Sequence, residues 1–375
     1  MSTLEELIHY CRIDRPIGAI ALYGESGCGK TYLIENDLAE VLRDTHFIVR
    51  ISLFGISSIE ALHTAVKKQW LYTCTPFLTR LKDQYEHAGK SRGLLKAINT
   101  IVKKLNPQAE KLANAVSDPL EYIVIEPESF GIQAKARKKA ILVFDDADRT
   151  RLNLTDLLGT INDYCENLHF NTIIIANRDF LNETNQDTLA AVGTAKEKTV
   201  AYAIMHTPDY DKIVHEMITD SIWKTEKYGE FLKEHEQTVA EAFASDHMDM
   251  LNRDTAISKH HNIRTLIAAL ESFHRVYHHM TKAGIRDIKP YLYSFIAFFL
   301  SAKSGITKDK KYCYNPTDEE ISQLYPRFSA ECLFESVRNW VCFGYWNKES
   351  FMEELSRIAP AENPKAPDDA ESEPL

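Results

Sequence analysis

From Gly24 the chain reads GESGCGKT, and the pattern Gly24, Gly29, Lys30, Thr31 matches G-x-x-x-x-G-K-[ST] at every fixed position. Glycines at this spacing allow positive φ and carry no Cβ, so successive backbone N–H groups can turn inward around a polyphosphate. That is a Walker A phosphate loop. Lys30 is expected to reach the β and γ phosphates, Thr31 to offer its hydroxyl to Mg²⁺, and the helix opening there to aim its positive end at the anion. Gly24, Glu25, Ser26, Gly27, Cys28, Gly29, Lys30 and Thr31, with Tyr32 after them, are the expected nucleotide contacts. The thiol of Cys28, between glycines and near Lys30, is expected to be easily alkylated and protected by ATP.

A second set of chemistry-bearing residues stands at ILVFDD, Ile141 to Asp146. An apolar run ending in an acid is how a magnesium-side carboxylate is delivered, and a neighbouring acid can orient the attacking water. Asp145 is assigned to the metal and Asp146 to the general base, with Asp148 a further acid for the metal's surroundings. Asn177, after the apolar TIIIA, is placed as a polar sensor of the γ phosphate. Arg149 and Arg178 are candidates either for a finger on a neighbouring protomer's nucleotide or for ordinary salt bridges. His274, His278 and His279 share helical spacing but lack an H-E-x-x-H context, so they read as helix-surface histidines.

The elements that must position these groups follow from the apolar pattern. Ser2 to Tyr10 reads as a short helix with a capping box at Ser2 and Glu5. Ile20 to Tyr23 is a strand feeding the loop, Tyr32 to Leu42 a helix, and Phe47 to Phe54 the next strand, ended by Gly55. Strand, helix, strand with no hairpin signal implies a parallel crossover. Ser58 to Tyr72 is helical and opens an insertion to about Lys139. Within the insertion, Arg92 to Leu105 is basic and amphipathic and Tyr122 to Ile125 reads as an added strand. Ala140 to Phe144 and Thr172 to Ala176 are apolar enough for central parallel strands, with Ile161 to Leu168 helical between them. After Ala203 the character changes, and Tyr210 to Lys303 is patterned almost wholly as helix.

The chain is long enough for two domains, and 44% hydrophobic with 26% charged residues marks a globular protein. A net charge of −10 gives no bulk support for binding nucleic acid or an anionic membrane. The seven dispersed cysteines, without a C-x-x-C pair, read as reduced thiols of a cytoplasmic protein. The acidic N-terminus lacks the order of a secretory signal, and the apolar stretch from Tyr291 to Ala302 is too short for a transmembrane span. The expected domains are a core at residues 1–205 with a helical insertion at about 58–139, a helical lid and C-terminal domain at 206–358, and a disordered acidic tail at 359–375.

These motifs, GESGCGKT, RISLFGISSIEAL, ILVFDDADR, TIIIAN and NIRTLIAALESF, together resemble those of the KAP family of P-loop NTPases. The region from Asn315 to Trp346, with RNWVCFGYW, resembles the C-terminal helical segment of soluble bacterial members. The resemblance implies an α/β, parallel-sheet NTPase core with a helical insertion, followed by an all-helical domain. It also implies that Arg264 serves as a second sensor on the γ phosphate. Many members carry transmembrane helices in the insertion, which this chain lacks, and many belong to bacterial anti-phage systems. The expected function is Mg-dependent ATP hydrolysis, with ATP and Mg²⁺ as cofactors, coupled to a conformational or assembly switch. An ATP-binding scaffold docking a protein or nucleic acid, and a P-loop kinase, remain as alternatives. The expected partner is an unidentified effector protein or a second copy of the chain.

Overall fold

The computed structural model describes residues 2–74, 125, 128–129, 138–177, 180, 189–219, 223, 226–244, 262–304 and 315–359. The chain divides into two compact units: Met1–Glu25 with Gly29–Thr207, and Ser26–Cys28 with Pro208–Leu375.

In the first unit, α1 (Thr3–Cys11) begins at a capping box formed by Ser2 and Glu5. It leads to β1 (Ala19–Gly24), and α2 follows the phosphate loop as Lys30–Tyr32, a π-helical stretch Leu33–Leu38 and Ala39–Leu42. β2 (His46–Ser52), α3 (Ile59–Cys74), β3 (Glu128–Ser129) and β4 (Lys138–Asp145) come next. α4 (Leu154–Asn162, widening to a π-helix over Asp163–Asn167), β5 (Asn171–Asn177), α5 (Leu189–Thr199) and β6 (Val200–Met205) complete the unit. The sheet order is β2-β4-β5-β1-β6, and every pair along it is parallel, while β3 pairs antiparallel with β4.

The central strands are apolar throughout because both faces are covered. Ala19, Ala21 and Tyr23 of β1 join Leu142 and Phe144 of β4 and Ile174 of β5 in the core beneath α3 and α4. Ile20 and Leu22 alternate to the other face, where Ile141, Val143, Ile173 and Ile175 meet Leu7 and Tyr10 of α1 and Leu33, Ile34 and Leu38 of α2. The Tyr10 hydroxyl ties α1 to the sheet: it donates to the Gly18 carbonyl (2.9 Å) and accepts from the buried Thr172 amide (2.8 Å).

Two elements differ from the sequence reading. α4 starts at Leu154 rather than Ile161, because Asn153 caps it by accepting from the Asp156 amide. β6 was not expected: as the outer strand it leaves Tyr202 54% and Met205 48% exposed, so it lacks the buried-strand signature of its neighbours. Of the strand expected at Tyr122 to Ile125, only Ile125 is described, and it is in no strand. The basic segment from Arg92 to Leu105 and the acidic tail lie outside the described residues.

The second unit is helical: α6 (Tyr210–Thr219), α7 (Lys227–Glu234), α8 (Glu236–Ala244), α9 (Ile263–Lys282), α10 (Lys289–Ser304), α11 (Asp318–Leu324), α12 (Glu335–Phe343) and α13 (Lys348–Ile358). α9 is capped by Asn262, whose side chain accepts from the Arg264 and Thr265 amides, and buries Leu266, Ala269, Leu270, Phe273, Val276 and Met280. That spacing is one face of a 3.6-residue period. α10 is apolar almost all round because it is core, with Leu292, Phe295, Ile296, Phe298 and Leu300 buried. Among the described residues no helix is long and apolar enough to cross a membrane.

The histidines of α9 correct the surface reading. His279 is buried, and His274 stacks on Tyr228 with ring centroids 4.5 Å apart. Burial pushes the His274 imidazole below its ordinary pKa, against the opposing pull of Glu226.

Candidate nucleotide site

In a parallel sheet, ligands collect at the carboxyl ends of the strands, and the residues singled out by chemistry converge there. Gly24, the last residue of β1, is in register with Asn177, the last of β5, and Asp145 ending β4 is in register with Ser52 ending β2. β5 stands between the phosphate-loop strand and the acid-bearing strand, so its tip presents Asn177 between them.

After β1 the loop turns through Gly27 (φ 76°) and Gly29 (φ 91°), left-handed conformations that a side chain would strain. Gly29 is the N-cap residue of α2. Within the second compact unit, which includes Ser26–Cys28, the Gly27 carbonyl accepts from the Ile263 amide at 3.0 Å. A Cβ on Gly27 would come within 2.3 Å of the Asn262 side chain. Lys30 is buried, and its ammonium donates to the carbonyls of Gly24 (2.9 Å) and Glu25 (2.7 Å). Cys28 is only 1% exposed, which corrects the expectation of a thiol open to alkylation. Tyr32, by contrast, is 52% exposed.

Thr31 and Asp145, separated by 114 positions in the chain, meet through a 2.9 Å hydrogen bond from the threonine hydroxyl to Oδ2. A hydroxyl beside a carboxylate is the hard-oxygen pair that could hold a divalent cation whose remaining ligands are water and phosphate. The same Oδ2 accepts from Nε of Arg50 at 2.8 Å, and the other oxygen, Oδ1, accepts from the Asp146 amide at 2.8 Å. Arg50 reaches on to Glu35 in the π-helical part of α2, at 3.1 Å.

Asp146 adopts a left-handed backbone (φ 57°, ψ 39°), which turns the chain sharply after β4. A non-glycine residue held there is strained, a feature that clusters at functional positions. Its carboxylate accepts from the Ser52 hydroxyl (3.1 Å) and faces Arg149 at 3.4 Å. Asp148 is engaged from the tip of β5: its carboxylate accepts from Asn177, through the side-chain amide at 2.8 Å and the backbone N–H at 3.3 Å.

Lys30, Thr31, Asp145, Asp146 and Asn177 thus share one end of the sheet in the first unit. Arg264 lies in the second unit, exposed on the first turn of α9, and Arg178 lies outside the described residues. Arg50, Glu35 and Ser52 were missed in the sequence reading. The one available signal was a charged residue inside the otherwise apolar FIVRISLF, where a strand next to a sheet core has little reason to carry arginine without a partner.

A parallel α/β sheet with this loop at the tip of one strand and an acid at the tip of the next but one is the architecture of a P-loop nucleoside triphosphatase. The chain belongs to the KAP family: the model of the KAP family P-loop domain matches residues 1–277. No curated protein matches it. Among solved structures, it is similar to a DNA polymerase III gamma subunit-related protein from Thermotoga maritima, at 12% identity and a TM-score of 0.31, covering 95% of this chain and 98% of that one. It is also similar to the Aeropyrum pernix ORC1 protein in complex with DNA, at 14% identity and a TM-score of 0.27, covering 87% of this chain and 77% of that one.

Proposed function

We propose that this protein is a Mg-dependent ATPase whose cycle of nucleotide binding and hydrolysis drives a change of conformation or assembly. The observation that carries the reading is the meeting of Thr31 with Asp145, at the end of the sheet where Lys30, Asp146 and Asn177 also stand. On this reading Thr31 and Asp145 would hold Mg²⁺, which would supply neutralisation of the phosphate charge. Lys30 exchanges the Gly24 and Glu25 carbonyls for β and γ phosphate oxygens. Asp146, oriented by Ser52, takes the proton of the attacking water. Asn177, held by Asp148, addresses the γ phosphate. A second-sensor role for Arg264 rests on the family resemblance alone. Arg149 and Arg178 are the two candidates for action on a neighbouring protomer. A place among bacterial anti-phage systems follows from the family resemblance alone, and a cytoplasmic location from the dispersed cysteines and the N-terminal sequence.

Phosphate release from Mg-ATP by the full chain, beside binding of a fluorescent ATP analogue, tests the reading. Lys30→Ala is expected to lose nucleotide binding, and Asp146→Asn to keep binding while turnover falls by about a hundredfold or more. Wild-type turnover in Lys30→Ala would overturn the assignment. Stabilisation by ATP with no phosphate released points to a nucleotide-binding scaffold, and a phosphorylated acceptor to a kinase. Size-exclusion with light scattering on Asp146→Asn, with and without ATP, separates an assembly switch from a change within one protomer.

A further inference from the structure

Arg50 is an arginine in a strand that otherwise contributes Val49 and Ile51 to the core. It points to the opposite face, toward α2, where its guanidinium bridges Asp145 and Glu35. The Asp145 side chain is 6% exposed, so an ionised carboxylate there needs a cation close by. Arg50 is that cation, and it lands on Oδ2, the same oxygen that accepts from Thr31. Burial alone would weaken the guanidinium's hold on its proton, but Asp145 and then Glu35 outweigh that effect and keep its pKa above the ordinary arginine value. Glu35, half-exposed in the π-helical part of α2, draws the guanidinium from the other side, so Arg50 is shared between two acids.

We infer that Arg50 is a built-in counter-cation for Asp145, competing with magnesium for the carboxylate, so that the balance between Asp145 and Glu35 sets how much magnesium nucleotide binding requires. This rests on the reading of Asp145 as the magnesium-side acid. Two positive charges cannot sit on one oxygen without mutual repulsion. Magnesium gains Asp145 only as Arg50 shifts toward Glu35, and Arg50 is a positioning residue rather than a catalytic one.

The test is magnesium titration of the affinity for a fluorescent ATP analogue, with melting curves of the full chain in MgCl₂ alone. In Arg50→Met the half-saturating Mg²⁺ concentration is expected to fall several-fold, up to about tenfold, because a cation beside the metal position is removed. The same variant should melt lower without metal and gain more from MgCl₂ alone than wild type does. Glu35→Gln, a change at a half-exposed side chain, should act oppositely, strengthening the hold of Arg50 on Asp145 and raising the magnesium midpoint. An unchanged midpoint in a folded Arg50→Met overturns the inference, and if that variant does not fold, an unchanged midpoint in Glu35→Gln does so. Wild-type nucleotide binding that ignores magnesium altogether overturns instead the reading of Asp145 on which this rests.

Discussion

The acids at and just beyond the end of β4 are alike in the sequence and distinct in the fold. Asp145 meets Thr31 and Arg50, Asp146 meets Ser52 and Arg149, and Asp148 is bound to Asn177 through both of its oxygens. A carboxylate that accepts from both the backbone and the side chain of one residue fixes that residue's rotamer. Asp148→Ala should therefore leave nucleotide affinity close to wild type while letting the Asn177 amide wander. The expected outcome is a turnover loss of up to about a hundredfold with little change in KM, measured by steady-state phosphate release. A matched loss of affinity would place Asp148 on the ligand instead.

Among the elements, α1 illustrates how an N-terminal helix becomes part of the core. Its last turn delivers Tyr10 to the sheet, and Asn171 returns the contact by donating to the Tyr10 and Ile13 carbonyls, each at 3.1 Å. Tyr10→Phe keeps the ring and removes only the hydroxyl, leaving the buried Thr172 amide and the Gly18 carbonyl short of a partner. The cost of such a loss is about 1–3 kcal/mol, and a denaturant melt should show it as a lower midpoint at unchanged slope. The π-helical stretch of α2 belongs to the same scale. It carries Glu35 toward Arg50 directly after the phosphate loop, and irregular helical turns of this kind are frequent at functional sites.

For the molecule as a whole, each unit carries a histidine that burial holds below its ordinary pKa. His46 in the first is lowered by burial, opposed by its hydrogen bond with the Cys11 carbonyl and assisted by the charges of Lys139 and Arg12. His274 in the second stacks on Tyr228, opposed by Glu226 and assisted by His278. The unfolded chain binds these protons more readily than the native one, so stability is present above the unfolded value, about 6.5, and is lost as pH falls through it. Thermal melts between about pH 7.5 and pH 5.5 should show falling midpoints. His274→Phe, which keeps the stack but cannot take a proton, should flatten part of that slope.

The nucleotide-loop chemistry, the apolar central strands and the helical character of the second half were legible from residue order, because each depends on a local pattern: glycines in a loop, a continuous apolar run in a strand covered on both faces, period 3.6 in a helix. β6 was not legible, since a half-exposed outer strand lacks the apolar run that marks its neighbours. Nor was the role of Arg50, whose meaning lies in partners 15 and 95 positions away. The sequence by itself determined which side chains could do the chemistry and which strand tips would bear them. Only the tertiary structure decided which acid faces which cation, because that pairing is set by strand order and register across the sheet, and neither is written in any contiguous stretch of the chain.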